Sequence, residues 1–138
     1  MAVIAGVCPR FGGSLMDART VASYMAVVEA WAITRPIQAK LLGLPRRRFD
    51  EMRRYPQIFD DPVAEERARL IVDIDRRLAE VIPEAPYRRE WLYHAQVPHL
   101  GMAYMDACMG PDIEQVKAAH EQLMTATDAR IKAGIYWP

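Results

Sequence analysis

The sequence predicts an all-α protein, and three observations carry that reading. Apolar residues recur three and four positions apart along most of the chain. Strict apolar–polar alternation is almost absent, and there is no Asn-Gly or Asp-Gly hairpin turn. Prolines and glycines stand where such helices would start and stop. Composition agrees with a folded chain: of 138 residues, 51% are apolar and 26% charged, with 18 basic and 18 acidic side chains and no net formal charge. That is too apolar for a disordered chain. A chain of this length hides roughly two thirds of its unfolded surface, so no metal or disulfide staple is needed. One compact unit, or two very small ones sharing a core, is expected.

Residues 1–16 read as an N-terminal arm interrupted by Gly12-Gly13. Ser14 or Asp17 can cap a first helix running to about Ile33, with Val21, Tyr24, Met25, Val28, Trp31 and Ala32 at helical spacing. A short helix follows from Pro36 to Leu42 and ends at Gly43, the residue type a left-handed cap prefers. The next starts at Pro45 and ends near Tyr55, because Pro56 disfavours helix in the residue before it. Residues 17–60 form this first region. Residues 61–83 form a connecting or dimerisation helix, capped by Asp61, started by Pro62 and closed by Pro83, with Val63, Leu70, Ile71, Ile74, Leu78, Val81 and Ile82 on one face. Residues 84–138 hold shorter pieces: a helix from Pro86 to about His94, a loop over 97–101, a short helix from Met102 to Met109, and a last helix opened by Gly110-Pro111-Asp112. Its face carries Ile113, Val116, His120, Leu123 and Thr127, and the helical pattern stops at Gly134.

No apolar run approaches the roughly 18–20 residues that span a bilayer. The stretch from Ala2 to Cys8 lacks a preceding basic segment and is short for a secretory signal. Cys8 and Cys108 lie far apart and form no pair motif, which suits reduced thiols in the cytoplasm. A neutral chain has no blanket attraction for nucleic acid or membrane, so any such binding needs a local patch.

One such patch exists. Residues 35–54 read RPIQAKLLGLPRRRFDEMRR and have the pattern of a helix-turn-helix. Ala39 is the small residue where two helices cross, and Gly43 the residue tolerant of positive φ. Leu42, Leu44, Phe49 and Met52 would pin the second helix to the first. That helix projects Arg46, Arg47, Arg48, Arg53 and Arg54 against Asp50 and Glu51, a local charge of +3. Arginines on a helix of this kind can read guanine edges and hold phosphates in the major groove. The same residues also suit a solvated face whose arginines pair with neighbouring acids.

The C-terminal part carries a family resemblance. A long helix ending Val81-Ile82-Pro83 is followed by Trp91-Leu92, then Gly101, Met105-Asp106 and Gly110. This order, together with the helix-turn-helix-like segment, resembles the antitoxins of the Xre/MbcA/ParS family over roughly residues 20–130. Ala95-Gln96 stand where the family has Pro-Asn, Tyr104 where it has Pro, and the last glycine comes one residue early. The resemblance implies a partner, a RES-domain toxin that degrades NAD, whose active-site entrance the C-terminal region covers. It also implies repression of the protein's own operon. Trp91, Met102, Met105, Ile135, Tyr136 and Trp137 are the candidate toxin contacts. The aromatic tail can anchor an interface or fold back on the core. The methionines, with Met109 and Met124, can adapt to a partner or simply fill the core.

Nothing argues for an enzyme. His94, His99 and His120 make no helical i, i+4 pair, there is no CxxC, and no GxSxG, HExxH or phosphate-binding glycine loop occurs. His120 reads as a partly buried helix residue, and Asp60-Asp61 and Asp73/Asp75 read as a cap and solvated charges. No cofactor or metal is expected. The first reading is thus a non-enzymatic antitoxin, a homodimer or a hetero-oligomer with its toxin. The alternatives are a stand-alone helix-turn-helix regulator whose C-terminal helices bind a small ligand or a second subunit, and an accessory or structural subunit.

Overall fold

A computed structural model of the chain describes residues 17–134. The arm, Cys8 and the tail residues Ile135, Tyr136 and Trp137 lie outside the described residues. The described residues form an all-α fold of eight helices with one 3-10 turn and a two-stranded ribbon.

Helix α1 (Ala18–Ala30) begins at Asp17, whose carboxylate accepts from the Arg19 N–H, and it buries Val21, Tyr24, Val27 and Val28. It stops three residues short of the predicted end because Ala32 takes φ +58°. Helix α2 (Arg35–Leu41) and helix α3 (Arg46–Arg54) meet at Gly43, φ +70°. A 3-10 turn (Pro56–Ile58) leads to α4 (Pro62–Ala79), where Asp61 accepts from the Ala64 N–H at 3.0 Å. Helix α4 is the axis of the molecule, with α1 and α7 packed along it. Ala64, Ala68, Ile71, Ile74 and Leu78 form its buried stripe.

Helix α5 (Ala85–His94) is followed by a ribbon of β1 (Gln96–Val97) and β2 (Met102–Ala103), antiparallel with Gln96 opposite Ala103 and Val97 opposite Met102. The expected loop over 97–101 is therefore the start and tip of a ribbon. Its tight turn places His99 at φ +71° and Gly101 at φ +68°. Helix α6 (Tyr104–Met109) comes next, then α7 (Ile113–Thr125), capped by Asp112. The predicted last helix is interrupted: Ala126 and Thr127 are extended, and the Thr127 hydroxyl accepts from the Arg130 N–H to start α8 (Asp128–Ala133). Thr127 thus serves as a cap instead of a face residue. One core cluster runs from Val21 on α1 to Ile131 on α8, with Trp31, Phe49, Trp91 and Leu123 inside it.

Two buried arginines organise this core. Arg67 on α4 is 1% exposed. Its guanidinium donates to the carbonyls of Leu41 at 2.8 Å, Lys40 at 3.3 Å, Cys108 at 2.7 Å and Gly110 at 2.8 Å. No acid pairs with it among the described residues. Burial lowers its pKa. Arg88 on α5 donates to Asp75 at 2.6 Å and to the Ile82 and Pro83 carbonyls, while Asp75 also accepts from the Trp31 indole at 2.8 Å. Asp75 is therefore no solvated charge: its side chain is 15% exposed and ties α1, α4 and α5 together.

Replacing Arg67 by Met strands the carbonyls of Leu41, Cys108 and Gly110 at once, while Lys40 keeps the Gly43 N–H. At about 1–3 kcal/mol for each buried acceptor left unsatisfied, it should lower stability by about 3 kcal/mol or more, read as an earlier urea midpoint. Ala32→Gly should act in the opposite direction. Relief of the left-handed alanine is worth about 1 kcal/mol, and the melting temperature should rise.

Candidate functional site

The α2–α3 corner is built from the bottom up by its backbone. The N–H groups of Leu42 and Leu44 both donate to the Ala39 carbonyl, at 3.1 and 3.0 Å, and Gly43 N–H donates to Lys40. Glycine is favoured at 43 because its φ is positive, +70°; a Cβ there would meet Nε of Arg67 at an ordinary contact distance of 3.4 Å. Ala39, Leu42, Leu44, Phe49 and Met52 are all buried at this corner, as the helix-turn-helix pattern expects. The Tyr24 hydroxyl donates to the Gln38 carbonyl, and the Gln38 amide donates to Ile33, so α2 is also tied to α1.

The five candidate arginines of α3 separate into three kinds. Arg46 and Arg53 flank Asp50, at 3.6 and 3.7 Å. Arg48 is held: it pairs with Glu51 at 3.0 Å, donates to the Asp60 carbonyl, and covers the Phe59 ring at 4.4 Å. Arg47 and Arg54 are exposed and have no ion pair or hydrogen bond among the described residues. They are seven positions apart, on one helix face about 10 Å along the axis. Exposed pairs such as Arg46–Asp50 are worth about 0–1 kcal/mol, so Asp50 leaves the neighbouring guanidinium groups available. Just beyond α3, Tyr55, Ile58 and Val63 are exposed apolar side chains.

The candidate toxin contacts lie elsewhere. Trp91 and Met105 belong to the chain's own core, Trp91 with its indole N–H donated to the Ile131 carbonyl at 2.9 Å. Its ring stands 4.8 Å from that of Tyr104, tilted by 39°. Met102 is half-buried on β2, and Met109 is half-buried too, while Met124 is exposed. Trp91 and Tyr104 line a cleft of about 270 Å³ between the end of α5, β1 and the α7–α8 junction, with Arg130 also lining it. In the sequence Tyr104 stands out only as a departure from a proline, and Arg130 does not stand out at all, because only the folded chain brings α6 and α8 together. Arg67 escapes notice for the same reason: a lone arginine on an apolar helix face carries no sign of the carbonyls it will meet.

His120 is half-buried and 3.2 Å from Asp73; His94 is 3.5 Å from Glu90. Among the described residues no group of three His, Cys, Asp or Glu is placed to hold a metal. Burial pushes the Cys108 thiol up to about 12, with the Arg67 charge pulling the other way. No helix among the described residues is long and apolar enough to cross a membrane. Compared with protein-family models, curated proteins and solved structures, the chain matches none.

Cys108 fixes an alkaline limit. Its pKa is raised in the folded state from 9.0 to about 12. Its contribution is therefore whole below pH 9 and is lost as pH climbs towards 12, at up to about 1.4 kcal/mol per unit. Urea titrations at pH 8.5 and 10 should show this decline in the parent protein and a smaller one in Cys108→Ala. In a Cys8→Ser background, Cys108 should resist thiol reagents until the protein unfolds.

Proposed function

We propose that the protein is a non-enzymatic antitoxin that binds a RES-domain toxin, occludes its active site, and represses its own operon through α2 and α3. The observation that carries the reading is the α2–Gly43–α3 corner. It presents a short helix of net charge +3, in a chain with no net charge, and leaves Arg47 and Arg54 unpaired among the described residues. A recognition helix needs that arrangement: apolar residues holding one face against its partner helix, and free guanidinium groups on the other. The exposed Tyr55, Ile58 and Val63 add an apolar patch of the kind that meets another protein.

One observation favours a second reading, a stand-alone helix-turn-helix regulator. Trp91 and Met105, two of the family-like toxin contacts, are committed to the interior and would have to leave it to touch a partner. Co-expression with a RES-domain toxin separates the two. Rescue of growth and co-purification support the antitoxin; unrelieved toxicity with intact operator binding supports the regulator.

The DNA arm is tested with Arg47→Ala/Arg54→Ala. Operator affinity by gel shift should fall at least tenfold, and the slope of log affinity on log salt should flatten by about 1 for each phosphate that an arginine no longer neutralises. Unchanged affinity and slope would remove DNA binding by α3.

A further inference from the structure

The cleft beside Trp91 contains an unmet polar group. Tyr104 is 5% exposed, yet its hydroxyl makes no hydrogen bond to any described residue. Buried phenol groups normally find a partner, so an unpartnered one calls for an explanation. The ring lines the cleft, and so does Arg130. The Arg130 side chain has no ion pair or hydrogen bond among the described residues. The two groups are electrically close: burial raises the phenol's pKa, and the Arg130 charge is the main influence pulling it down.

The rest of the lining narrows what could satisfy them. Trp91, Tyr104, Leu123 and Ile131 supply apolar surface, His94, Gln96, Gln122 and Thr125 add polar groups at the wall, and the Trp91 N–H is already occupied by Ile131. Among the described residues no Asp or Glu lines the cleft, so its one formal side-chain charge at neutral pH, Arg130, favours an anion. A volume of about 270 Å³ falls just below the range of drug-sized pockets and suits a ligand of one or two rings. One guanidinium beside one hydroxyl donor matches a single carboxylate, and both bonds would be charge-assisted.

We propose that this cleft binds a small planar aromatic carboxylate, its ring against Trp91 and Tyr104 and its carboxylate shared by the Tyr104 hydroxyl and the Arg130 guanidinium. The site is independent of the toxin and DNA readings above, and its test does not involve either partner.

The test uses the full chain, labelled with ¹⁵N, and benzoate as the probe. The Trp91 indole resonance, assigned with a Trp91→Phe variant, reports on the cleft. Benzoate should shift it saturably, and benzyl alcohol, of similar shape but uncharged, should bind at least tenfold more weakly. Tyr104→Phe keeps the ring and removes only the hydroxyl. Arg130→Gln alters an exposed residue, so the fold is kept. Each should weaken benzoate at least fivefold. The proposal is overturned if the Trp91 signal does not saturate, if benzyl alcohol binds as well as benzoate, or if both variants bind benzoate as the parent does.

Discussion

The interaction on which the rest of the structure depends is a buried guanidinium answered only by backbone. Arg67 leaves the middle of α4 and donates to carbonyls at the end of α2, Lys40 and Leu41, and at the end of α6, Cys108 and Gly110. The last carbonyls of a helix lack intrahelical partners and carry the negative end of the helix dipole. A planar group with five donors suits two such ends at once, where a lysine ammonium would not. The positive charge is thus compensated without a carboxylate, and the four carbonyls are satisfied without water. Arg67 also lies beside Gly43, so α4 reaches the α2–α3 corner.

The same device recurs. Arg89 donates to the carbonyl of Trp31 at the end of α1, and Arg88 to Ile82 and Pro83 just past the end of α4. Arg77 donates to Leu123 and Ala126 at the end of α7, and pairs with Asp128 at the start of α8. The ends of α1, α2, α4, α6 and α7 thus each receive an arginine from a neighbouring element. This gives a physical reason for the chain's bias of fifteen arginines to three lysines. It also shows why overall neutrality conceals a local patch. Arg67, Arg77 and Arg88 are consumed by the interior or its margin, whereas four of the five α3 arginines, all but Arg48, are exposed with Asp50 as their nearest acid.

The two proposed surfaces differ in how their charge is arranged. On α3 the guanidinium groups of Arg46, Arg47, Arg53 and Arg54 are exposed and either unpaired among the described residues or loosely paired, which suits a polyanion whose counterions are released on binding. In the C-terminal cleft a single guanidinium stands beside a buried hydroxyl over apolar rings, which suits one small anion with an apolar body. The one described cysteine is buried, and its thiol stays protonated in the neutral range.

Most of the helices were legible in the sequence because their signals are local. Asp17, Asp61 and Asp112 cap where an acidic residue precedes an apolar repeat, Gly43 turns where only a glycine is comfortable, and the buried stripe of α4 follows from spacing alone. The helix-turn-helix-like corner and its arginines were visible for the same reason. What tertiary structure decided is what depends on partners distant in the chain. Asp75 became a buried acceptor because Trp31 and Arg88 arrive from other helices, Thr127 became a cap that splits the last helix, and residues 96–103 became a ribbon by pairing across a turn. Above all, Arg67 on α4 and the cleft of Tyr104 and Arg130 exist only once α2, α6 and α8 are brought together, since a side chain's partners across 26 to 43 positions leave no mark on its immediate neighbours.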